Sequence, residues 1–275
     1  MPFGPILAPD GTIYAGAAYL GANGSGAIYQ LQPPSSPGGP WTTTDVFDFP
    51  ANTRIHYQNP DSLSLGSDGA FYGTIPLGGE YKYPCGAVFK LQPPSAPGGQ
   101  WAETILYNFR CADDGVGPNS VMLGPDGVLY GTTFGVNTDF AGAGMVFSLT
   151  PPATPGGEWT KKNLHTFINY EVFPNVGYGP DSPLIMRNGK LYGASGLPGL
   201  QANHPGGVVY ELAPPATPGG PWTCTILHRW RNGQVPSNGS VTTDGSIAMD
   251  RDGTVFGGTS IPNAAQGTIY RVKPD

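Results

Sequence analysis

The chain has 275 residues, with 43 Gly and 31 Pro, yet 39% of it is hydrophobic and 11% aromatic, enough apolar surface to offset the chain entropy of a sizeable core. Only 12% is charged, the formal net charge is −6, and no run of Lys or Arg occurs, which argues against nucleic acid or an anionic membrane as a partner. No apolar stretch approaches the roughly 20 residues of a membrane span, and the opening MPFGPILAPDG has neither the basic nor the apolar region of a signal peptide.

The first predicted element is a hairpin about Asp10 and Gly11 in DGTIYAG. Gly accepts the positive φ of a tight turn, and the flanking β-branched and aromatic residues suit strands, here A and B. Next comes GAIYQL from Gly26, whose apolar and polar residues alternate as in a strand, C. PPSSPGGPW, ending at Trp41, is a stiff turn into strand D, which closes on VFDF. The set then returns about every 60 residues. The hairpins recur as DGAFYGT at Asp68, DGVLYGT at Asp126, NGKLYGA at Asn188 and DGTVFGG at Asp252. Strand C recurs as GAVFKL, GMVFSL, GVVYEL and GTIYRV, and the Pro/Gly turn as PPSAPGGQW, PPATPGGEW and PPATPGGPW. Strand D recurs as LYNF, LHTF and LHRW, and the fifth copy has no D signature.

Four antiparallel strands per unit, repeated radially, predict an all-β fold: a five-bladed β-propeller in one domain over 1–275, its last blade three-stranded unless the first residues supply a fourth strand. The blades are approximately 1–49, 50–109, 110–167, 168–230 and 231–275. An open solenoid would call for shorter repeats and atypical capping units.

The combination DGxLYGT, GxVFxL and LHxF, five times over almost the whole chain, resembles the Gloeo-Verruco (GloVer) tandem repeat of bacterial surface and secreted proteins. The resemblance implies a propeller and an extracytoplasmic setting, and brings no established reaction. Between strands B and C the family has a short Gly-Gly segment, whereas this chain has varied aromatic and ionisable residues.

Strand order sorts the loops onto two faces. The A–B and C–D turns repeat and form the scaffold. The B–C and D–A loops differ in every blade, and function tends to sit on such loops. They carry Arg54, His56, Tyr57, Glu80, Tyr81, Lys82, Tyr83, Asp113, Asp114, Asp139, Glu171, Tyr178 and His204. Strand A is expected innermost, so its first residues rim the central channel: Asp61-Ser62, Asn119-Ser120, Asp181-Ser182 and Gly245-Ser246. Oxygens of Asp61, Asn119 and Asp181 are candidate ligands of a divalent cation, calcium or, with His56 and His204, zinc. The same residue types also cap loops and bond adjacent backbone, the reading that suits the recurrent Ser62, Ser120, Ser182 and Ser246.

His165 and His228 stand where other blades have Phe47 and Tyr107, which predicts packing roles. Trp41, Trp101, Trp159 and Trp222 recur in register, as blade-to-blade packing would require. Cys85 and Cys111 both belong to the varied face of blade two, as buried free thiols or as a disulfide, and Cys224 belongs to a strand D core.

The favoured function is a small-molecule hydrolase of an ester, lactone or phosphoester. It has one site at the channel mouth, drawing catalytic groups from Asp61, Asp181, His56, His204 and Glu80. A metal-free variant would use Asp61 and Asp181, with Glu80 or Glu171, on a glycosidic bond. The alternatives are a glycan-binding lectin and a surface interaction module, with the ligand on the varied face in the first case and a monomer expected throughout.

Overall fold

A computed structural model describes residues 5–17, 20–51, 62–77, 85–96, 98–111, 114–135, 144–167, 180, 182–195, 207–230, 247–260 and 267–274. Among them the chain forms only strands, apart from a single 3-10 position, gathered in five antiparallel sheets. Blade one runs β1 (Ile6–Leu7), β2 (Ile13–Ala17), β3 (Ala27–Gln32) and β4 (Thr42–Asp48). Blade two runs β5 (Ser62–Leu65), β6 (Phe71–Ile75), β7 (Ala87–Gln92) and β8 (Ala102–Asn108). Blade three runs β9 (Val116–Leu123), β10 (Leu129–Gly135), β11 (Met145–Thr150) and β12 (Thr160–Thr166). Blade four runs β13 (Ile185–Arg187), β14 (Lys190–Ser195), β15 (Val208–Ala213) and β16 (Thr223–Arg229). Blade five has three strands, β17 (Ala248–Met249), β18 (Val255–Ser260) and β19 (Gly267–Val272). Each sheet pairs its strands in chain order, and the arrangement is a five-bladed β-propeller. No helix among the described residues is long and apolar enough to cross a membrane.

The repeat signatures now have physical causes. The turn glycines Gly11, Gly69, Gly127, Gly189 and Gly253 all take φ between 75° and 87°, the left-handed region that side chains resist. The turn aspartate serves two bonds: Asp126 accepts the Val128 N–H at 3.2 Å and the Tyr130 hydroxyl at 2.9 Å. Asp68 does the same for Ala70 and Tyr72. Blade four has Asn188 in the turn, itself at φ 51°. There the Tyr192 hydroxyl turns instead to Glu211 on β15, at 2.8 Å.

The D-strand signature is a bulge. In β4, β8, β12 and β16 the pairing with strand C slips by one residue, leaving Val46, Leu106, Leu164 and Leu227 unpaired. The slip aims that residue and the closing aromatic, Phe49, Phe109, Phe167 or Trp230, into the seam with the next blade. Each aromatic is buried and donates its N–H to the carbonyl of the glycine that opens strand C. His165 and His228 set their rings edge-on against Phe167 and Trp230, with centroids 4.8 Å apart in both cases.

The core is therefore a set of seams between blades. Trp101 stacks on Phe71 of its own blade, with ring centroids 5.5 Å apart, and meets Tyr14 of blade one edge-on. Trp222 of blade four lies against Tyr130 of blade three. Polar ties cross the seams as well: Ser64 Oγ donates to the Val121 carbonyl at 2.8 Å, and Arg187 donates to the Asp250 and Arg251 carbonyls.

Candidate functional site

At the inner end of β9 the ladder with β10 slips by one residue. Pro118 pairs with Thr133 and Ser120 with Thr132, so Asn119 is bulged out of the ladder. A bulge re-aims a side chain, and here the Asn119 Nδ2 donates to the carbonyl of Pro180 at 2.8 Å, across the seam between blades three and four. Pro180 bridges to Ser195 at the end of β14 and directly precedes Asp181 in the chain. Ser195 is fully buried, and its hydroxyl has no hydrogen-bond partner among the described residues.

The recurrent serines bond within their own blades. Ser62 and Ser120 pair their hydroxyls with those of Thr74 and Thr132 at 2.9 and 3.0 Å. Ser182 Oγ accepts the Ala194 N–H at 2.8 Å. Of the catalytic and metal candidates, only Asn119 falls within the described residues. His56, Asp61, Glu80, Asp181 and His204 lie outside them, as do Glu171 and Ser246. Among the described residues no three His, Cys, Asp or Glu side chains converge as metal ligands. The Asn119 bond fixes its amide through nitrogen and leaves Oδ1 as the oxygen suited to a hard cation.

A second polar cluster, of whose charged residues the sequence singled out Asp114 alone, lies on the outer flank of the seam between blades two and three. A cleft of about 520 Å³ there is lined by Tyr107, Arg110, Asp114, Trp159, Lys161 and Asn163, among others. The Lys161 side chain is 5% exposed, 3.3 Å from Asp114. Its ammonium also reaches Asn163 Oδ1 at 2.5 Å and lies over the rings of Phe109 and Phe147. Burial holds its pKa below the ordinary lysine value, and Asp114 opposes that shift. Asp114 in turn accepts the Tyr107 hydroxyl and the Arg110 N–H, both within 3.0 Å. The signal was present in register: Lys161 and Asn163 stand where blade four has Cys224 and Ile226, and blade two has Glu103 and Ile105.

The turn carrying Asp114 is held by a disulfide between Cys85 and Cys111, with Cα atoms 5.4 Å apart. This settles the alternative left open by the sequence. The Gly117 N–H donates to the Cys85 carbonyl, bringing the end of the B–C loop beside the D–A turn. Cys224 is a free thiol, pushed up to about 11 by burial.

A family model described as the Gloeobacter/Verrucomicrobia repeat matches residues 1–270. No curated protein matches the sequence. Among solved structures, a gluconolactonase from Xanthomonas campestris is similar at a TM-score of 0.53 and 14% identity, over 98% of this chain and 71% of that one. An α-L-arabinofuranosidase from Lactobacillus brevis gives 0.52 and 15%, over 98% and 89%. An endo-arabinase from Bacteroides thetaiotaomicron gives 0.50 and 12%, over 100% and 93%. At such identities the likeness is one of fold.

Proposed function

The chain belongs to the Gloeobacter/Verrucomicrobia repeat family, and we propose that it is a hydrolase of a small ester, lactone or phosphoester with one site at the inner ends of blades two to four. The observation that supports this reading is the bulge at Asn119 and its bond across to blade four. At the inner end of β9 it turns the amide onto the carbonyl of the residue before Asp181, and that residue bridges to Ser195, whose hydroxyl is buried. A lectin with equal sites would repeat its polar residues in every blade, and this one does not. The similar folds include proteins named as a gluconolactonase and an arabinofuranosidase, so hydrolytic sites are compatible with the architecture.

In this reading Asp61, Asn119 and Asp181 hold a divalent cation, calcium or zinc, which when bound supplies a Lewis acid and lowers the pKa of a water. Asn119 contributes its Oδ1 from an amide whose nitrogen is already committed. His56, His204 and Glu80 are the proton-transfer candidates for the attacking water and the leaving oxygen. An extracytoplasmic setting is part of the proposal, supported by the Cys85–Cys111 disulfide, since such bonds persist in oxidising compartments.

The test is a turnover panel of lactones, esters, phosphoesters and glycosides, run with and without chelator alongside metal analysis of the purified protein. Asp61→Asn and Asp181→Asn are each expected to lower kcat/KM by about 100-fold or more with unchanged stability. Turnover of none of these substrates by a metal-free protein would sink the reading and leave the interaction-module alternative.

A further inference from the structure

The outer strands of four blades can be compared position by position, and the cleft between β8 and β12 is lined by residues in which they differ. Tyr107 stands where the other blades have Phe47, His165 and His228, so blade two alone of these offers a phenol there. Lys161 stands where the others have Thr43, Glu103 and Cys224. The tryptophan before each outer strand differs too. Trp101 and Trp222 meet aromatic rings of a neighbouring blade, Tyr14 and Tyr130. Trp159 has no ring partner among the described residues and lines the cleft half-buried.

One wall of the cleft is held in place from behind. Cys111 takes φ 63° and is one of two residues other than glycine, among those described, in the left-handed region. Such a conformation persists where its surroundings over-determine it, and ligand clamps are one such setting. Here the disulfide to Cys85 and the Asp114 N–H, which donates to the Cys111 carbonyl at 3.1 Å, fix the turn. The Asp114 carboxylate thereby meets Tyr107 and Lys161, and Lys161 holds Asn163 through Oδ1, which makes Nδ2 the outward donor of that amide. Donors and acceptors stand together in the lining, and its formal charges cancel, Arg110 and Lys161 against Asp114 and Glu158. A charged ligand therefore meets no uncompensated partner. A hydroxyl both donates and accepts, so a ring of hydroxyls suits a mixed lining, and its C–H face suits an indole. The cleft, about 520 Å³, is within the range of roughly 300–1,000 Å³ for small-ligand sites.

We propose that this cleft binds one neutral sugar ring, its C–H face against Trp159 and its hydroxyls shared among Asp114, Arg110 and Asn163. The site is single, because the phenol and the lysine that frame it occur together at one seam, and it is not one of the equal sites of a lectin. A wall fixed before binding lowers the ordering cost of taking up so hydrated a ligand. The cleft draws on β8, β12 and the turn that leaves β8, and shares no residue with the hydrolytic site proposed above, so the two readings stand independently.

Titration with the methyl pyranosides of glucose, galactose, mannose and xylose tests it, read by saturation-transfer NMR and tryptophan fluorescence, with methyl glucuronide and methyl glucosaminide as charged controls. At least one neutral glycoside is expected to bind, and more tightly than either control. Trp159→Ala is expected to weaken that binding about 10-fold. Because Trp159 also packs against the seam core, Arg110→Ala is measured beside it: the residue is exposed and the backbone N–H to Asp114 stays. That variant should keep the wild-type melting temperature and bind about 5-fold more weakly. Asp61→Asn and Asp181→Asn should bind the glycoside as wild type does. Binding of none of the neutral glycosides, tighter binding of a charged one, or wild-type affinity in both Trp159→Ala and Arg110→Ala would overturn the inference. So would loss of binding in Asp61→Asn or Asp181→Asn, which would assign the sugar to the channel mouth. The readout is equilibrium binding, so its failure leaves the hydrolase reading to its own turnover test.

Discussion

Lys161 of blade three lies 3.3 Å from Asp114 of blade two, a charge contact across the seam in which the lysine side chain is 5% exposed. Removing the carboxylate leaves a buried ammonium uncompensated and strips Tyr107 and the Arg110 N–H of their acceptor. Asp114→Ala is therefore expected to cost about 3 kcal/mol, whereas Lys161→Met should fall within about 1 kcal/mol of wild type. The folded pKa of Lys161 is lowered from 10.5. Between the lowered value and 10.5 the unfolded chain binds more protons, so this lysine makes stability rise with pH in that window. Urea midpoints measured from neutral to alkaline pH should show a more favourable trend in wild type than in Lys161→Met.

The Cys85–Cys111 disulfide closes a loop across a sequence separation of 26. Chain entropy alone assigns it about 3.5 kcal/mol. Thermal melts should drop on reduction, and Cys85→Ser/Cys111→Ser should melt low with or without reductant. Thiol titration of the denatured, unreduced protein should count one thiol, Cys224, which burial keeps unreactive in the native state.

Asn119→Ala removes one bond between blades three and four, and a loss of about 1 kcal/mol is expected in denaturant melts. Under the hydrolase reading kcat/KM falls as well, by more than that loss of stability explains at temperatures where the variant is folded. A variant with altered stability and unaltered turnover would assign Asn119 to the seam alone.

Gly131 lies beneath the Phe147 ring, and a Cβ there would stand 2.5 Å from Cζ and 2.6 Å from the Ser120 carbonyl oxygen. Gly131→Ala should cost about 2–3 kcal/mol. The neighbouring Tyr130 phenol is pushed up to about 12, first by burial and then by its bond to Asp126. Its contribution is full below the ordinary value of 10.0 and is lost as pH rises towards 12. Tyr130→Phe, costing about 1 kcal/mol at neutral pH, should flatten that alkaline decline in a melt series.

The turns and the strand count could be read directly from the sequence because they rest on local chemistry: Asp-Gly reversals, alternation in strand C and the Pro/Gly entry to strand D. The bulges at Val46, Leu106, Leu164 and Leu227 were hidden in plain signatures, since a register slip depends on what the next blade offers the displaced side chain. Pro118 before Asn119 was a usable hint of the inner bulge, proline being a poor ladder donor. The Lys161 cluster joins residues of two blades, a pairing no local pattern encodes.

The meander order of the sheets also governs how the molecule is made. Strands pair only with chain neighbours, so the closure entropy of each pairing is that of a short loop, and contact order stays low for an all-β protein. During synthesis blade one can complete its ladder before blade two has emerged, then present a finished surface on which the next blade condenses. Assembly runs in the direction of translation, and lengthening the array lengthens the process without deepening its kinetic barrier.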